Sequence, residues 1–220
     1  MPYRRTPEVQ ARLAASRDRI LRAAIETVAE HGYQGCSIAS VAARAGVATG
    51  SVYRHFPRKA DLVAEVFRVA SGREVAAVTL AGQVELTTRP EPTEPAAPAA
   101  SASRTARDRT VSMVTTFASR ALRAPRLAYA LLAEPVDPEV DAERLVFRRA
   151  YRDVFAEVLA DGVASGELPA QDVRLTAAAL VGAIGEALVG PLADPTAADP
   201  VPALVTFSLR AIGGSLEPDA

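Results

Sequence analysis

The stretch "SIASVAARAGVATGSVYRHFPRKADL", Ser37 to Leu62, concentrates side chains that can do chemistry. Hydroxyls (Ser37, Thr49, Ser51), a phenol (Tyr53), an imidazole (His55) and four cations (Arg44, Arg54, Arg58, Lys59) fall within it. Positive charge and hydrogen-bond donors at this density suit a polyanion. The chain as a whole agrees. Residues 1–73 carry 12 Lys and Arg against 6 Asp and Glu, a balance of +6, and the remainder carries −7. Such an asymmetry predicts that one end meets a polyanion. Catalysis is not expected: there is no Gly-rich phosphate loop, no His or Cys metal spacing and no Ser-His-Asp arrangement. The two histidines, His31 and His55, both lie in the basic third, and Cys36 is the single cysteine.

These side chains need a scaffold, and the pattern is helical almost throughout. Pro7 after Thr6 predicts a helix start. Ile20, Ala24 and Val28 lie four apart on one face, and Gly32 offers a left-handed stop. Ser37 can cap a short helix that Gly46 ends. A second short helix runs from Ala48 to His55, and Pro57 breaks the chain. Isolated helices this short are unstable in water, so both must pack on a third. Ile38, Val41, Ala42, Val47, Val52 and Phe56 supply the shared core with the first helix. This is the build of a helix-turn-helix, whose second helix can enter the major groove. A small helical hairpin with no nucleic-acid role has the same turn.

Further helices are predicted from about Arg58 toward Val84, at Arg104–Arg123, Arg126–Ala133, Glu139–Ser165, Val173–Val189 (bounded by Gly190-Pro191) and from about Pro202 to Ile212. "TTRPEPTEPAAPAASAS", residues 87–103, reads as a mobile Pro- and Ala-rich loop. No sustained strand pattern or internal repeat occurs. The expectation is an all-α protein of about nine helices. No apolar run approaches the length that crosses a bilayer, and the charged N-terminus does not read as a signal peptide. A cytoplasmic protein is expected.

Arg58 and Lys59 open the fourth helix, where cations oppose the helix dipole. A local rule broken without local gain points to function, and a bound phosphate would turn that conflict into an asset. From Arg17 to Phe67 the chain resembles the tetracycline-repressor (TetR) family of bacterial transcription regulators. The matching residues are His31-Gly32-Tyr33, Ser37, Val41-Ala42, Ala45-Gly46-Val47, Gly50-Ser51-Val52-Tyr53, His55-Phe56 and Lys59 with Leu62. Three positions depart from the usual pattern: Ala48 replaces a frequent Ser, Arg58 a capping residue, and Arg54 a second aromatic.

The resemblance implies that Ser37, Tyr53, His55 and Lys59 hold phosphates, with Arg58 as an added contact. It puts Arg44, Thr49, Gly50 and Arg54 nearest base edges, with Ser51 on the same helix. Gly50 would let the backbone approach the groove, and Arg54 would read guanine better than a tyrosine. Tyr53 could also be a half-buried core aromatic, a reading compatible with the first, and His55 a surface or capping histidine. Arg4, Arg5 and Arg12 could form an arm on DNA or a solvated tail. Cys36 reads as a small packed residue.

The resemblance further implies a DNA-binding domain at residues 17–73, preceded by a basic arm or helix extension at 1–16. A domain for effector binding and dimerisation follows at 74–220. The expected dimer face comprises Ala178, Gly182, Gly185, Leu188 and Val189 with Leu204, Val205, Leu209 and Ile212, unless these fill the monomer core. The expected pocket residues are Met113, Phe117, Leu122, Tyr129, Leu132, Phe147, Tyr151 and Phe155. Of these, Phe147, Tyr151 and Phe155 form a helical stripe that could also be core. Arg144, Arg148 and Glu134 could meet an acidic or polar effector, or pair on the surface. The implied function is a homodimeric repressor released from a palindromic double-stranded DNA operator by a small, mostly apolar effector. An activator, or a regulator controlled by a partner protein, is the alternative. No cofactor, metal or membrane partner is expected.

Overall fold

The computed structural model describes residues 6–83, 104–194 and 196–213. Among the described residues there are nine α-helices: α1 (Pro7–Gly35), α2 (Ile38–Ala45), α3 (Thr49–His55), α4 (Lys59–Gln83), α5 (Ala106–Arg123), α6 (Pro125–Leu132), α7 (Pro138–Ala164), α8 (Val173–Ala193) and α9 (Val201–Ala211). Arg4, Arg5 and the expected loop at 87–103 lie outside the described residues. Residues 7–16 extend α1, with Arg12 exposed on it.

Two boundaries differ from the sequence reading. Gly32 breaks α1 as expected, at φ 71 and ψ −175, but one more helical turn follows before Cys36. At the other end α8 runs through Gly190-Pro191. Pro191 lies in the last turn, and only two helical residues follow it. A further correction concerns length: α8 is long and apolar enough to cross a membrane by length and composition. Its two charges, Arg174 and Glu186, interrupt the apolar run without spoiling the average.

The described residues divide into two compact units. The first takes residues from Met1–Arg73, Ala121–Phe147 and Leu192–Pro195, and the second from Glu74–Arg120, Arg148–Pro191 and Thr196–Ala220. In the first, α6 packs on α1, and α2 and α3 pack on α1 and on each other. Ile20, Val28, Val41, Val52, Leu62, Val63 and Phe67 are fully buried there. Each contributes about 1.5–3 kcal/mol of burial, which is what holds two helices too short to stand alone. The boundary after Arg73 falls inside α4. Residues 121–147 pack with the first unit, although the sequence assigned them to the later domain. In the second unit Met113, Val114, Leu159, Leu180, Leu188 and Ile212 are fully buried.

Candidate nucleic-acid interface

The short helices owe their ends to local chemistry. Ser37 Oγ accepts from Ser40 N–H at 3.0 Å, and Ser40 Oγ accepts from Ser37 N–H at 3.1 Å, a reciprocal cap on α2. Gly46 ends the helix at φ 63 and ψ 40. There Val47 N–H donates to Ala42 O and Gly46 N–H to Ala43 O, the two bonds of a left-handed helix stop. With Ile38, Val41, Ala42, Ala45 and Val52 turned inward, the outer face of α2 and α3 is set. Thr49, Gly50, Tyr53 and Arg54 are exposed, and Ser51 and His55 are half-buried. Tyr53 is a large aromatic left 49% exposed. The other half of its surface is covered, so a share in packing and an outward role hold together. Ala39, Ala43 and Ala48 are exposed on the same two helices or at the cap of α3. The sequence reading named Ala48 only as a departure from the family pattern and gave Ala39 and Ala43 no role, although all three occupy outer positions opposite the apolar stripe.

Three of the four cations are placed differently from the expectation. Arg44 is turned onto α1, where its fork holds both carboxylate oxygens of Glu30 and lies 3.5 Å from Glu26. In this arrangement it braces α1 against α2 and does not reach for base edges. Arg58 bonds both oxygens of Asp61 and, at 2.6 Å, Glu139. Its own N–H also donates to Asp61 at 3.1 Å, so the carboxylate does the capping that Arg58 cannot. The guanidinium holds Asp61 below the usual carboxylate range. Lys59, the chain's single lysine, donates from Nζ to Tyr33 O at 2.9 Å and sits 4.2 Å over the Tyr33 ring. The two cations at the start of α4 therefore have a local gain after all, and their position alone does not argue for a phosphate.

His55 closes α3. Burial, then the charges of Arg54 and Arg17, hold its imidazole below the ordinary value. The folded state thus resists protonation that the unfolded chain accepts near pH 6.5. Stability is lost as pH falls from about 6.5 toward the depressed folded value. Thermal midpoints followed from pH 7.5 to 5 should fall further for wild type than for His55→Gln. Parallel profiles would show that His55 carries none of the dependence.

Sequence reasoning gave Tyr33 no role of its own, yet it ties distant parts of this unit together. Tyr33 follows the Gly32 break, and its N–H donates to Glu134 Oε2 at 2.7 Å. Gln34 N–H donates to Glu134 Oε1 at 3.0 Å. One carboxylate therefore takes the first two free donors of the last turn of α1. The Tyr33 hydroxyl donates to Asp137; burial first, then that bond, pushes the phenol up to about 12. Arg144 donates to the carbonyls of Ala130, Leu131 and Glu134, and to Asp141. It secures the end of α6, so the reading of Arg144 as an effector partner gives way to an internal role.

The expected pocket residues fall in both units. In the second, Met113 and Phe155 are buried in the core, while half-buried Phe117 and Tyr151 meet edge to face at 5.1 Å. Arg120 pairs with Glu74 at 2.5 Å, and burial, then Glu74, pushes the Tyr151 phenol upward. Leu122, Tyr129, Leu132 and Phe147 are half-buried in the first unit. The expected dimer face also needs correction. Leu188, Leu204 and Ile212 are buried within the chain. On α8, Ala177, Leu180, Ile184 and Leu188 form the inner stripe, three to four residues apart. Ala178 and Gly182 are exposed; Gly185, Val189, Val205 and Leu209 are half-buried. Leu175 and Phe207, 67% and 46% exposed, are the large apolar side chains on the outer faces.

A capped helix, a left-handed glycine turn and a second short helix with an exposed polar face, all on a basic first third, define a helix-turn-helix DNA-binding protein. Comparison with known proteins gives the particular family. The profile described as "Bacterial regulatory proteins, tetR family" matches residues 20–66, and "Tetracyclin repressor-like, C-terminal domain" matches residues 103–187. The chain belongs to the tetR family and is a DNA-binding transcriptional regulator. It is 26% identical over 170 residues to a fatty acid metabolism regulator protein of Bacillus subtilis, covering 76% of this chain and 78% of the relative. Over 62 residues it is 34% identical to the transcriptional repressor KstR2 of Mycolicibacterium smegmatis, covering 28% and 30% of the two chains. The crystal structure of FadR from Bacillus subtilis, solved with stearoyl-CoA, shares the fold. Its TM-score is 0.70 at 23% identity, covering 90% of this chain and 99% of that one.

Proposed function

We propose that the protein is a homodimeric repressor that binds a palindromic operator and leaves it when a small, mostly apolar effector binds. The observation that carries this reading is the outer face of α2 and α3, with Thr49, Gly50, Tyr53 and Arg54 exposed. Two such helices must enter successive major grooves, about 34–36 Å apart, so the reading requires two copies of the chain. The outer faces of α8 and α9 favour that pairing: Leu175 and Phe207 leave large apolar surface uncovered, and Ala178 and Gly182 permit close helix approach.

For the effector, the half-buried pair Phe117 and Tyr151 of the second unit offers apolar surface. The B. subtilis relative regulates fatty acid metabolism, and FadR was solved with stearoyl-CoA, which makes a long-chain acyl thioester the first probe. α4 has residues in both units. An effector that favours a conformation with differently spaced recognition helices must lower DNA affinity by linkage.

The test is binding to DNA from upstream of the protein's own gene, at two salt concentrations, with excess competitor DNA. Wild type should resist competitor. Tyr53→Ala, which removes an exposed phosphate donor and leaves the core intact, should bind about tenfold more weakly. Stearoyl-CoA added to the complex should release it. Competitor-sensitive binding there and in a selection from genomic fragments would sink the regulator reading; resistant binding unaffected by acyl-CoA would sink the effector class alone.

A further inference from the structure

Four long cations lie between Ser37 and Lys59, and the fold occupies three of them. Arg44 is closed on Glu30, Arg58 on Asp61 and Glu139, and Lys59 on Tyr33. Arg54 differs. Among the described residues its bond is to a neutral hydroxyl, Ser51 Oγ, at 3.2 Å. Among the described residues no carboxylate closes its fork, and it is exposed near the end of α3. The bond to Ser51 uses one Nη2 proton, which leaves donors on both terminal nitrogens of the guanidinium. The surrounding face is mostly small: Ala39, Ala43, Ala48 and Gly50 are exposed and their side chains cannot hydrogen-bond a base edge, which leaves the hydroxyls of exposed Thr49 and Tyr53 as the other side-chain donors on it.

We propose that Arg54 carries the direct base readout of this regulator, pairing with O6 and N7 of one guanine in each operator half-site. A guanidinium fork matches those two acceptors, and no other base presents them together in the major groove. Ser51 is the positioning residue that sets the approach of the fork. The flanking base pairs are read by methyl contact from the alanines and Thr49, and by shape. This assignment rests on the reading of α3 as the helix that enters the groove.

Selection from a random duplex library with the full chain tests it, using wild type, Arg54→Ala, Arg54→Gln and Ser51→Ala. Wild type should select one fixed guanine per half-site. Arg54→Ala should lose that preference, keep the rest of the motif, and bind the best site about ten- to a hundredfold more weakly. Its salt dependence should change by no more than about one phosphate contact. Arg54→Gln should move the preference to adenine, whose N6 and N7 suit an amide. Ser51→Ala should blur the guanine preference without removing it. A guanine that persists in both Arg54 variants overturns the assignment while leaving DNA recognition standing. If wild type selects no sequence, the reading of α3 falls and this assignment with it.

Discussion

Glu134→Ala should lower the unfolding free energy by about 3 kcal/mol, read from urea midpoints at unchanged slope. The carboxylate accepts two backbone N–H groups, those of Tyr33 and Gln34, at 2.7 and 3.0 Å. A hydrogen bond to a charged group contributes about 1.5–3 kcal/mol, and a buried donor left without a partner costs about 1–3 kcal/mol. Tyr33 is 4% exposed, so water does not replace its partner; Gln34 is exposed, and its N–H can turn to water. The loss is therefore nearer to one full bond with its penalty than to two. Glu134→Gln should cost less, because the amide oxygen still accepts one bond. Gly32→Ala should be similarly damaging. Its φ of 71 with ψ −175 is tolerated essentially by glycine alone, and an added Cβ would stand 2.9 Å from Glu134 Oε2. Because both changes strike one contact, the double variant should cost less than the sum of the singles. A cost below 1 kcal/mol for Glu134→Ala would mean the last turn of α1 holds itself.

What could be read from the sequence follows the range of the interactions. Ser37 and Gly46 announce α2 because capping is local, within four residues of each. Ile20, Ala24, Val28, Val41 and Val52 announce a shared core because helical periodicity repeats within one segment, and all five are fully or nearly fully buried. The distant partners of Arg44, Arg58 and Tyr33 were not legible, whereas Asp61, three residues from Arg58, lay within reach of a local pattern. Glu30 is 14 residues from Arg44, Glu139 is 81 from Arg58, and Glu134 is 101 from Tyr33. No local pattern marks such pairs. The acidic turn "EPVDPEVD" held a usable signal: carboxylates concentrated beside a break in an otherwise helical chain need donors from elsewhere. The same limit explains α8. Periodicity shows that apolar residues at three- and four-residue spacing share a face, but both faces of α8 are apolar. The pattern therefore did not say that Leu188 turns inward while Gly182 turns out.

The outward position of Gly182 makes Gly182→Arg the decisive variant for the proposed dimer. A Cβ at this position meets nothing within 4 Å, so the isolated chain has room for a larger side chain. Replacing a mid-helix glycine also removes about 0.8–1 kcal/mol of unfavourable helix propensity. The chain should therefore fold at least as stably as wild type. Any loss in assembly then belongs to the face itself. A long guanidinium beside Ala178, within a surface flanked by Leu175, would hold a second helix away and would have to be desolvated on contact. Sedimentation should show a monomer where wild type sediments as a dimer. Operator affinity should fall at least a hundredfold, since one half-site no longer presents the second at high effective concentration. Gly182→Ala, which adds one methyl to the same face, should retain most of both properties. A dimer that survives Gly182→Arg with operator affinity intact would exclude this face of α8 as the contact. Release of DNA without dissociation would instead separate operator geometry from assembly, since two half-sites demand a fixed spacing and not merely two chains.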